Sequence, residues 1–145
     1  MTLAEIEANL PNGFHDAEIE ELVWNYRTDS ASFTMKLWVA EATDQNIEIY
    51  RLGRLDVKDI AFIAIDPPHP RDLDTKPHKP SGSLQIDGMA TTETIFPGLS
   101  KLKQQLSPET QIYSFYVVNW NSNIHIAIGE AELVWIVNGK QWESK

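Results

Sequence analysis

Apolar and polar residues alternate with a period of two over most of the chain, which is the pattern of half-buried β-strands. The first alternating run extends from residue 17 to residue 27 and slips by one residue at Glu20-Glu21. A β-bulge at this slip would return the apolar side chains to the core face. The side chains predicted to point inward are Ala17, Ile19, Leu22, Trp24 and Tyr26.

A second run follows the turn-forming residues Thr28-Asp29-Ser30, so the first two strands are predicted to form an antiparallel hairpin. Its inward residues are predicted to be Phe33, Met35, Leu37 and Val39. Further strands are predicted at about 46–52, 57–65, 84–87, 110–119, 124–128 and 132–137. Asn138-Gly139 favours a type I′ turn before a last short strand through Trp142.

Two short helices interrupt this series. Thr2 and Glu5 have the spacing of a capping box, and Pro11 ends the helical pattern that follows. Leucines at helical spacing predict a second helix between Pro97 and Pro108. Because short strands at close spacing dominate, the predicted fold is mainly β, an antiparallel sandwich or partly open barrel with two short helices.

The 145 residues are predicted to form a single domain, 1–145. Residues 66–83 hold five of the eight prolines and are predicted to be a long loop within that domain.

The net charge of −9 disfavours binding to nucleic acid and to anionic membrane surfaces, and it would speed encounter with a basic protein. The absence of cysteine excludes thiolate catalysis and cysteine-based zinc sites. Residues 1–20 lack the pattern of a secretory signal, and no apolar run approaches the ~20 residues of a membrane span. We therefore expect a cytoplasmic protein without a cofactor, and the sequence leaves its oligomeric state open.

His15 and Asp16 place two polar functional groups at the entrance of the first strand. They are candidates for an acid-base pair or for two metal ligands. Adjacent side chains of an extended strand point to opposite faces, so convergence requires a turn or bulge. The structural alternative is that one of them caps a turn or bonds to the backbone of a neighbouring strand.

His125 is a further catalytic candidate, predicted to face solvent or a sheet-edge partner because its neighbours Ile124 and Ile126 are apolar. The proline-rich loop offers an alternative metal site of nitrogen and oxygen ligands. Its members would be His69, Asp72, Asp74 and His78.

Trp38 shares a strand face with Ser32, Thr34 and Lys36, opposite the apolar residues of the same run. An outward tryptophan is a candidate contact residue for a partner protein, unless it lies under the N-terminal helix or on a second buried face. The predicted binding residues are Trp38 and the acidic residues of the first strand, Glu18, Glu20 and Glu21.

Three segments carry a family resemblance: Pro-Asn-Gly-Phe-His-Asp-Ala-Glu-Ile at 11–19, Tyr-Arg-Leu-Gly-Arg-Leu at 50–55, and Asn-Trp-Asn-Ser at 119–122 with Ala-Glu-Leu-Val-Trp at 131–135. Together they resemble a family of small uncharacterised bacterial proteins. The opening is also similar to segments of immunity proteins from bacterial polymorphic toxin systems, which bind and neutralise a cognate toxin. Neither resemblance implies a catalytic role for His15 or Asp16.

The chain is therefore predicted to be a non-catalytic protein-binding module, of which an immunity-like inhibitor of a basic partner is the sharpest version. One alternative is a metal-assisted hydrolase that uses His15 and Asp16. The other is a small-ligand-binding barrel lined by the inward aromatic residues.

Overall fold

A computed structural model of the chain describes residues 1–42, 47–73, 82–89, 98–136 and 142–144. These residues form nine β-strands, three short α-helices and one turn of 3-10 helix. The strands are β1 His15–Asn25, β2 Ser30–Ala42, β3 Ile47–Lys58, β4 Phe62–Ile65, β5 Leu84–Met89, β6 Gln111–Val117, β7 Ser122–Ile128, β8 Glu130–Trp135 and β9 Trp142–Ser144. The helices are α1 Leu3–Asn9, α2 Pro70–Leu73 and α3 Leu99–Gln105, and the 3-10 helix is Val118–Trp120.

The strands belong to one antiparallel sheet with the order β4-β7-β6-β5-β1-β2-β3-β8, and β9 pairs with β3 beside β8. Over the described residues, the end strands β4 and β8 do not pair with each other, so the sheet stays open. The predicted mainly β, antiparallel fold with two short helices is confirmed, with α2 as an additional single turn.

The sheet curls strongly around its core. Phe33 on β2 and Phe115 on β6 have two strands between them in the sheet order, yet their ring centroids are only 6.0 Å apart. In a flat sheet, three strand spacings would separate them by roughly 14 Å. The Phe14 ring meets Phe115 edge-on at 5.3 Å, inside the curl. The core therefore lies on the concave face of a single sheet.

Helix α1 connects distant strands of this curled sheet. Its predicted capping box is confirmed, because Thr2 and Glu5 bond reciprocally. The backbone N–H of Leu3 donates to Gln111 Oε1 on β6 at 2.7 Å, and the backbone N–H of Ala131 on β8 donates to the Met1 carbonyl at 3.1 Å. The helix thus covers the core where β6 and β8 approach each other.

The β-bulge predicted in β1 is confirmed, because the register with β2 shifts between Ile19 and Glu21. The prediction that Tyr26 points into the core is wrong. Strand β1 ends at Asn25, whose side-chain carbonyl accepts from the backbone N–H of Arg27 and starts a turn. Tyr26 lies in this turn and is 77% exposed.

The strands predicted at 46–52 and 57–65 are divided differently in the structure. Strand β3 continues from 47 through 58, and β4 follows as a separate strand. Gly53, in the predicted gap, instead lets two side chains pack close to the backbone, since a Cβ there would lie 3.1 Å from Leu133 and 3.3 Å from Leu37. The gap predicted between 52 and 57 is therefore part of one continuous strand.

Two other details of the strand predictions differ. Phe33, Met35 and Leu37 are buried as predicted, but Val39 lies where the β2–β3 register shifts and is only half-buried. Asn138-Gly139 lies outside the described residues. Within those residues β9 pairs with β3 and not with β8.

The predicted loop 66–83 begins as an ordered segment. The backbone N–H of Asp66 donates to the carbonyl of Asn123, and that of His69 donates to the carbonyl of Trp120. Helix α2 follows at 70–73. The remainder of this loop prediction, residues 74–81, lies outside the described residues.

Candidate functional site

His15 begins β1, and its imidazole pairs with a carboxylate on the neighbouring strand β5. The distance from His15 Nδ1 to Asp87 Oδ1 is 2.7 Å, and both side chains are 55% exposed. The ring lies against Gly88, where φ is +65° and a Cβ would be 2.8 Å from His15 Cε1. Glycine therefore satisfies both the backbone conformation and the space that the ring needs.

Asp16 does not converge with His15. A bulge between His15 and Ala17 gives Asp16 a φ of +58°. The side-chain amide of Asn12 donates to Asp16 Oδ2 at 3.4 Å and to the His15 carbonyl at 3.2 Å. Asp16 therefore bonds within its own turn, whereas His15 bonds to a carboxylate and not to the backbone of a neighbouring strand. The group that the structure brings to His15 is Asp87, which the sequence did not indicate.

The pKa of His15 is raised above its ordinary value of 6.5, chiefly by the hydrogen bond to Asp87. The negative charges of Asp87, Glu7 and Asp16 add to this effect, while partial desolvation opposes it. An exposed histidine can exchange protons with a bound molecule. Proton exchange is the chemistry that this pair offers.

We expect an NMR titration to place the His15 pKa above 6.5, and we expect Asp87→Asn to lower it. A histidine whose pKa is raised by folding stabilises the protein fully below the unfolded-state pKa and loses that contribution as pH rises through the folded-state pKa. Asp87→Asn should therefore reduce stability at pH 5.5 more than at pH 8.5, by about 1 kcal/mol or less because the pair is exposed. Asp16→Asn is the control and should move the pKa less. An unchanged His15 pKa in Asp87→Asn would refute the pairing.

His125, on β7, is buried and forms a three-residue polar network. Its Nδ1 lies 2.8 Å from Ser114 Oγ on β6, and its Nε2 lies 2.8 Å from Asp66 Oδ2 at the end of β4. The prediction that His125 faces solvent is wrong, because only 1% of the residue is exposed. The other predicted environment was a partner at the sheet edge. Asp66 is such a partner, because it directly follows the end strand β4.

This network contains the residue types of a serine, histidine and aspartate triad in a different arrangement. In the hydrolytic triad, the serine is reached by substrate and contacts Nε2, while the aspartate is buried against Nδ1. Here Ser114 is fully buried and contacts Nδ1, while Asp66 contacts Nε2 and its side chain is 41% exposed. The arrangement therefore keeps the hydroxyl away from substrate. It links β6, β7 and the residue after β4 by one buried and one partly buried hydrogen bond.

The metal site predicted in the proline-rich loop has one member whose side chain is described. His69 Nδ1 accepts a hydrogen bond from the backbone N–H of Arg71 at 3.2 Å. The Asp72 side chain, Asp74 and His78 lie outside what the structure describes. In the part of the chain with described positions, no three His, Asp or Glu side chains are placed to hold a metal ion.

The convex face of the sheet carries half-buried apolar residues opposite the core. Trp38 pairs in register with Tyr50, and Lys36 pairs with Leu52. Side chains alternate between the two faces along each strand. Trp38, Tyr50, Lys36 and Leu52 therefore point away from the face that carries the buried Leu37 and Trp135, which packs against the core. Trp38 is therefore not under α1, whose apolar residues lie in the core. We call this surface the outer apolar patch; it consists of Trp38, Tyr50, Leu52 and Val134.

The acidic residues predicted to bind a partner lie beside this patch, and one lysine partly neutralises them. Lys36 Nζ lies 3.5 Å from Glu18 and 3.3 Å from Glu20. Glu21 is exposed and has no ion-pair partner within the described ranges. Its carboxylate is the uncompensated charge at the β1 bulge.

A pocket of about 510 Å³ opens on the concave side, next to the same bulge. Its walls are mostly apolar, and the lining also includes Glu20, Glu21 and Ser83. The apolar side chains that line it are Ile19, Leu22, Phe33, Ile65, Leu84, Trp120 and Ile124.

Sequence reasoning did not pair Asp87 with His15, did not pair Asp66 or Ser114 with His125, and missed this pocket. A signal existed for the buried network, since Ser114 lies between Tyr113 and Phe115 in a strand as His125 lies between two isoleucines. Two polar residues at equivalent positions of neighbouring strands suggest a cross-strand hydrogen bond. No local signal indicated Asp87, because it is 72 residues from His15.

Comparisons with protein-family models, with curated proteins and with solved structures found no match to this chain. Among the helices that the structure describes, none is long and apolar enough to cross a membrane.

Proposed function

We propose that this chain is a non-catalytic protein-binding module that uses the outer apolar patch and the acidic residues of β1 to hold a basic protein. The observation that carries the proposal is the pairing of Trp38 with Tyr50 on the convex face, where neither ring serves the core. Aromatic residues that keep part of their surface exposed are enriched where partner proteins bind.

The charge distribution supports a basic partner. Glu18, Glu20 and Glu21 lie at the edge of the patch, and Lys36 is the cation that contacts the first two. The chain as a whole carries a charge of −9. Such a field accelerates encounter with a basic protein, while a desolvated aromatic anchor slows dissociation. Charge would therefore act on the association rate constant, and packing would act on the dissociation rate constant.

An immunity-like inhibitor is the sharpest form of this proposal. It rests on the similarity of the opening at 11–19 to immunity proteins, which neutralise a cognate toxin. The metal-assisted hydrolase is less well supported, because His15 pairs with Asp87 while Asp16 bonds within its own turn. The surface that we propose requires no chemical step.

We expect Trp38→Ala to accelerate dissociation of the partner by about tenfold or more, as is typical of a central aromatic contact. The partner would be captured at low salt, identified and purified, and its binding measured by surface plasmon resonance. The association rate should fall as salt rises, because long-range steering is screened. Trp38→Ala should leave the association rate nearly unchanged.

Tyr26→Ala is the matched control, since Tyr26 is an exposed aromatic residue in the β1–β2 turn and outside the patch. It should leave the dissociation rate unchanged. Thermal unfolding of both variants separates binding from folding. If Trp38→Ala mainly lowers the melting temperature, or if both variants weaken binding equally, the patch is not the binding surface.

A further inference from the structure

We propose that an extended segment of the basic partner adds as a strand to the open edge of β1, which is the part of β1 from Glu21 to Asn25. This inference rests on the proposed function, because it says how the basic protein is held. Adding a strand to a sheet edge is a common mode of peptide recognition. Main-chain hydrogen bonds supply affinity there, and contacts of alternate side chains supply specificity.

The open edge exists because β1 is longer than its pairing with β5. Strand β1 continues to Asn25, but β5 pairs with it only between His15 and Ile19. Among the described strands, β2 alone pairs with residues 21–25. Backbone groups of successive residues in an antiparallel strand point to opposite sides, so β2 reaches only every second residue. The remaining N–H and C=O groups face away from β2 and can pair with an added strand.

The pocket beside the bulge provides the space for such a strand. Its lining includes residues 20–22 of β1 and residues 82–84, where the chain enters β5. Trp120 and Ile65 contribute from other elements. The space of about 510 Å³ therefore borders both the open edge and the start of β5. A segment bound there would continue the line of β5 along β1.

The two faces of the open edge differ in chemistry, and this difference selects the segment. Leu22 pairs with Phe33 and lies on the concave, apolar face, whereas Glu21 pairs with Thr34 and lies on the convex face. Glu21 is exposed and has no ion-pair partner within the described residues. Because side chains of an added strand alternate between these faces, the edge favours apolar residues alternating with Lys or Arg.

The same partner can reach the outer apolar patch. Thr34, which is opposite Glu21, and Trp38 lie on one face of β2 and are four residues apart. Four residues of an extended strand span roughly 14 Å. A segment on the open edge therefore extends the proposed binding surface from β2 past β1.

The test uses the peptide acetyl-Lys-Val-Lys-Val-Lys-amide, whose binding to the whole chain is measured by isothermal titration calorimetry. We expect it to bind more tightly than acetyl-Glu-Val-Glu-Val-Glu-amide, because the chain carries a charge of −9. Two N-methylated forms of the lysine peptide test strand pairing, one methylated on the valine nitrogens and the other on the lysine nitrogens. Only one of these two sets faces β1, so one form should bind about tenfold more weakly and the other should change much less.

Glu21→Gln tests the charge on the convex face. It should weaken binding of the lysine peptide by about two- to fivefold, the usual effect of an exposed ion pair. Glu130→Gln removes the same charge from β8 and should change the affinity less.

A second pair of variants tests the location. Ile65 lines the pocket, whereas its neighbour Ala64 is also exposed and points to the opposite face of β4. We expect Ile65→Lys to weaken binding of the lysine peptide, and of the captured partner, by about tenfold or more because it places a like charge in the space of the strand. Ala64→Lys should change either affinity much less.

The inference is overturned if the lysine peptide does not bind, if its two methylated forms bind alike, or if the two lysine variants have the same effect. These results leave the proposed function standing, since the peptide is too short to require the outer apolar patch. Trp38→Ala should therefore leave peptide binding unchanged. Partner binding that survives Trp38→Ala but is lost in Ile65→Lys would overturn the role of the patch and support the open edge.

Discussion

Replacing Phe115 by alanine is expected to lower the free energy of unfolding by about 3–5 kcal/mol, the usual cost of truncating a buried aromatic residue. Phe115 is fully buried, and its ring meets the rings of Phe14, Phe33 and Tyr113. These contacts join β6 to the entrance of β1 and to β2 across the curl of the sheet. Urea denaturation followed by circular dichroism measures the change.

Phe115→Leu is the control, because it keeps an apolar side chain in the same space and should cost clearly less than alanine. A domain of this kind is stable by only about 5–15 kcal/mol, so the alanine variant should unfold at much lower urea concentration. A loss below about 1 kcal/mol in Phe115→Ala would mean that the sheet does not curl around this ring.

Replacing His125 by leucine is expected to cost about 1–3 kcal/mol, because it leaves the buried hydroxyl of Ser114 without the imidazole that it contacts. Asp66 loses the same partner but can turn its partly exposed carboxylate to water. Most of the loss should therefore come from the serine. The change is measured by urea denaturation at neutral pH.

A double-mutant cycle tests whether the Ser114 hydroxyl and the His125 imidazole depend on each other. Removing both polar partners of a buried hydrogen bond can be nearly neutral, whereas removing one leaves the other unsatisfied. We therefore expect His125→Leu combined with Ser114→Ala to be more stable than His125→Leu alone. If the two changes simply add, the hydroxyl and the imidazole do not depend on each other, and the network does not join β6 to β7.

The two histidines illustrate how far the candidate sites could be predicted. The alternation around His125 correctly placed it opposite two buried isoleucines, but the face it occupies is also buried. Periodicity reports which residues share a face and not whether something covers that face. His15 was correctly singled out as a polar residue at a strand entrance, but its partner Asp87 comes from a strand 72 residues away.

Local patterns in the sequence were sufficient for most of the elements. The capping box predicted α1, and the slip at Glu20-Glu21 predicted the bulge that later proved to border the pocket. These features depend on residues within a few positions of each other, where hydrogen-bond spacing and side-chain direction follow from the chain itself.

The tertiary structure alone decided the strand order, the curl of the sheet and the groups that meet at each site. Asp87 reaches His15 because β5 pairs with β1, and Asp66 reaches His125 because β4 pairs with β7. Period-two alternation is the same for any order of strands, so it carries no information about which strands are neighbours. The pocket likewise exists only because the sheet curls, bringing Ile65 and Trp120 to the same cavity as the β1 bulge.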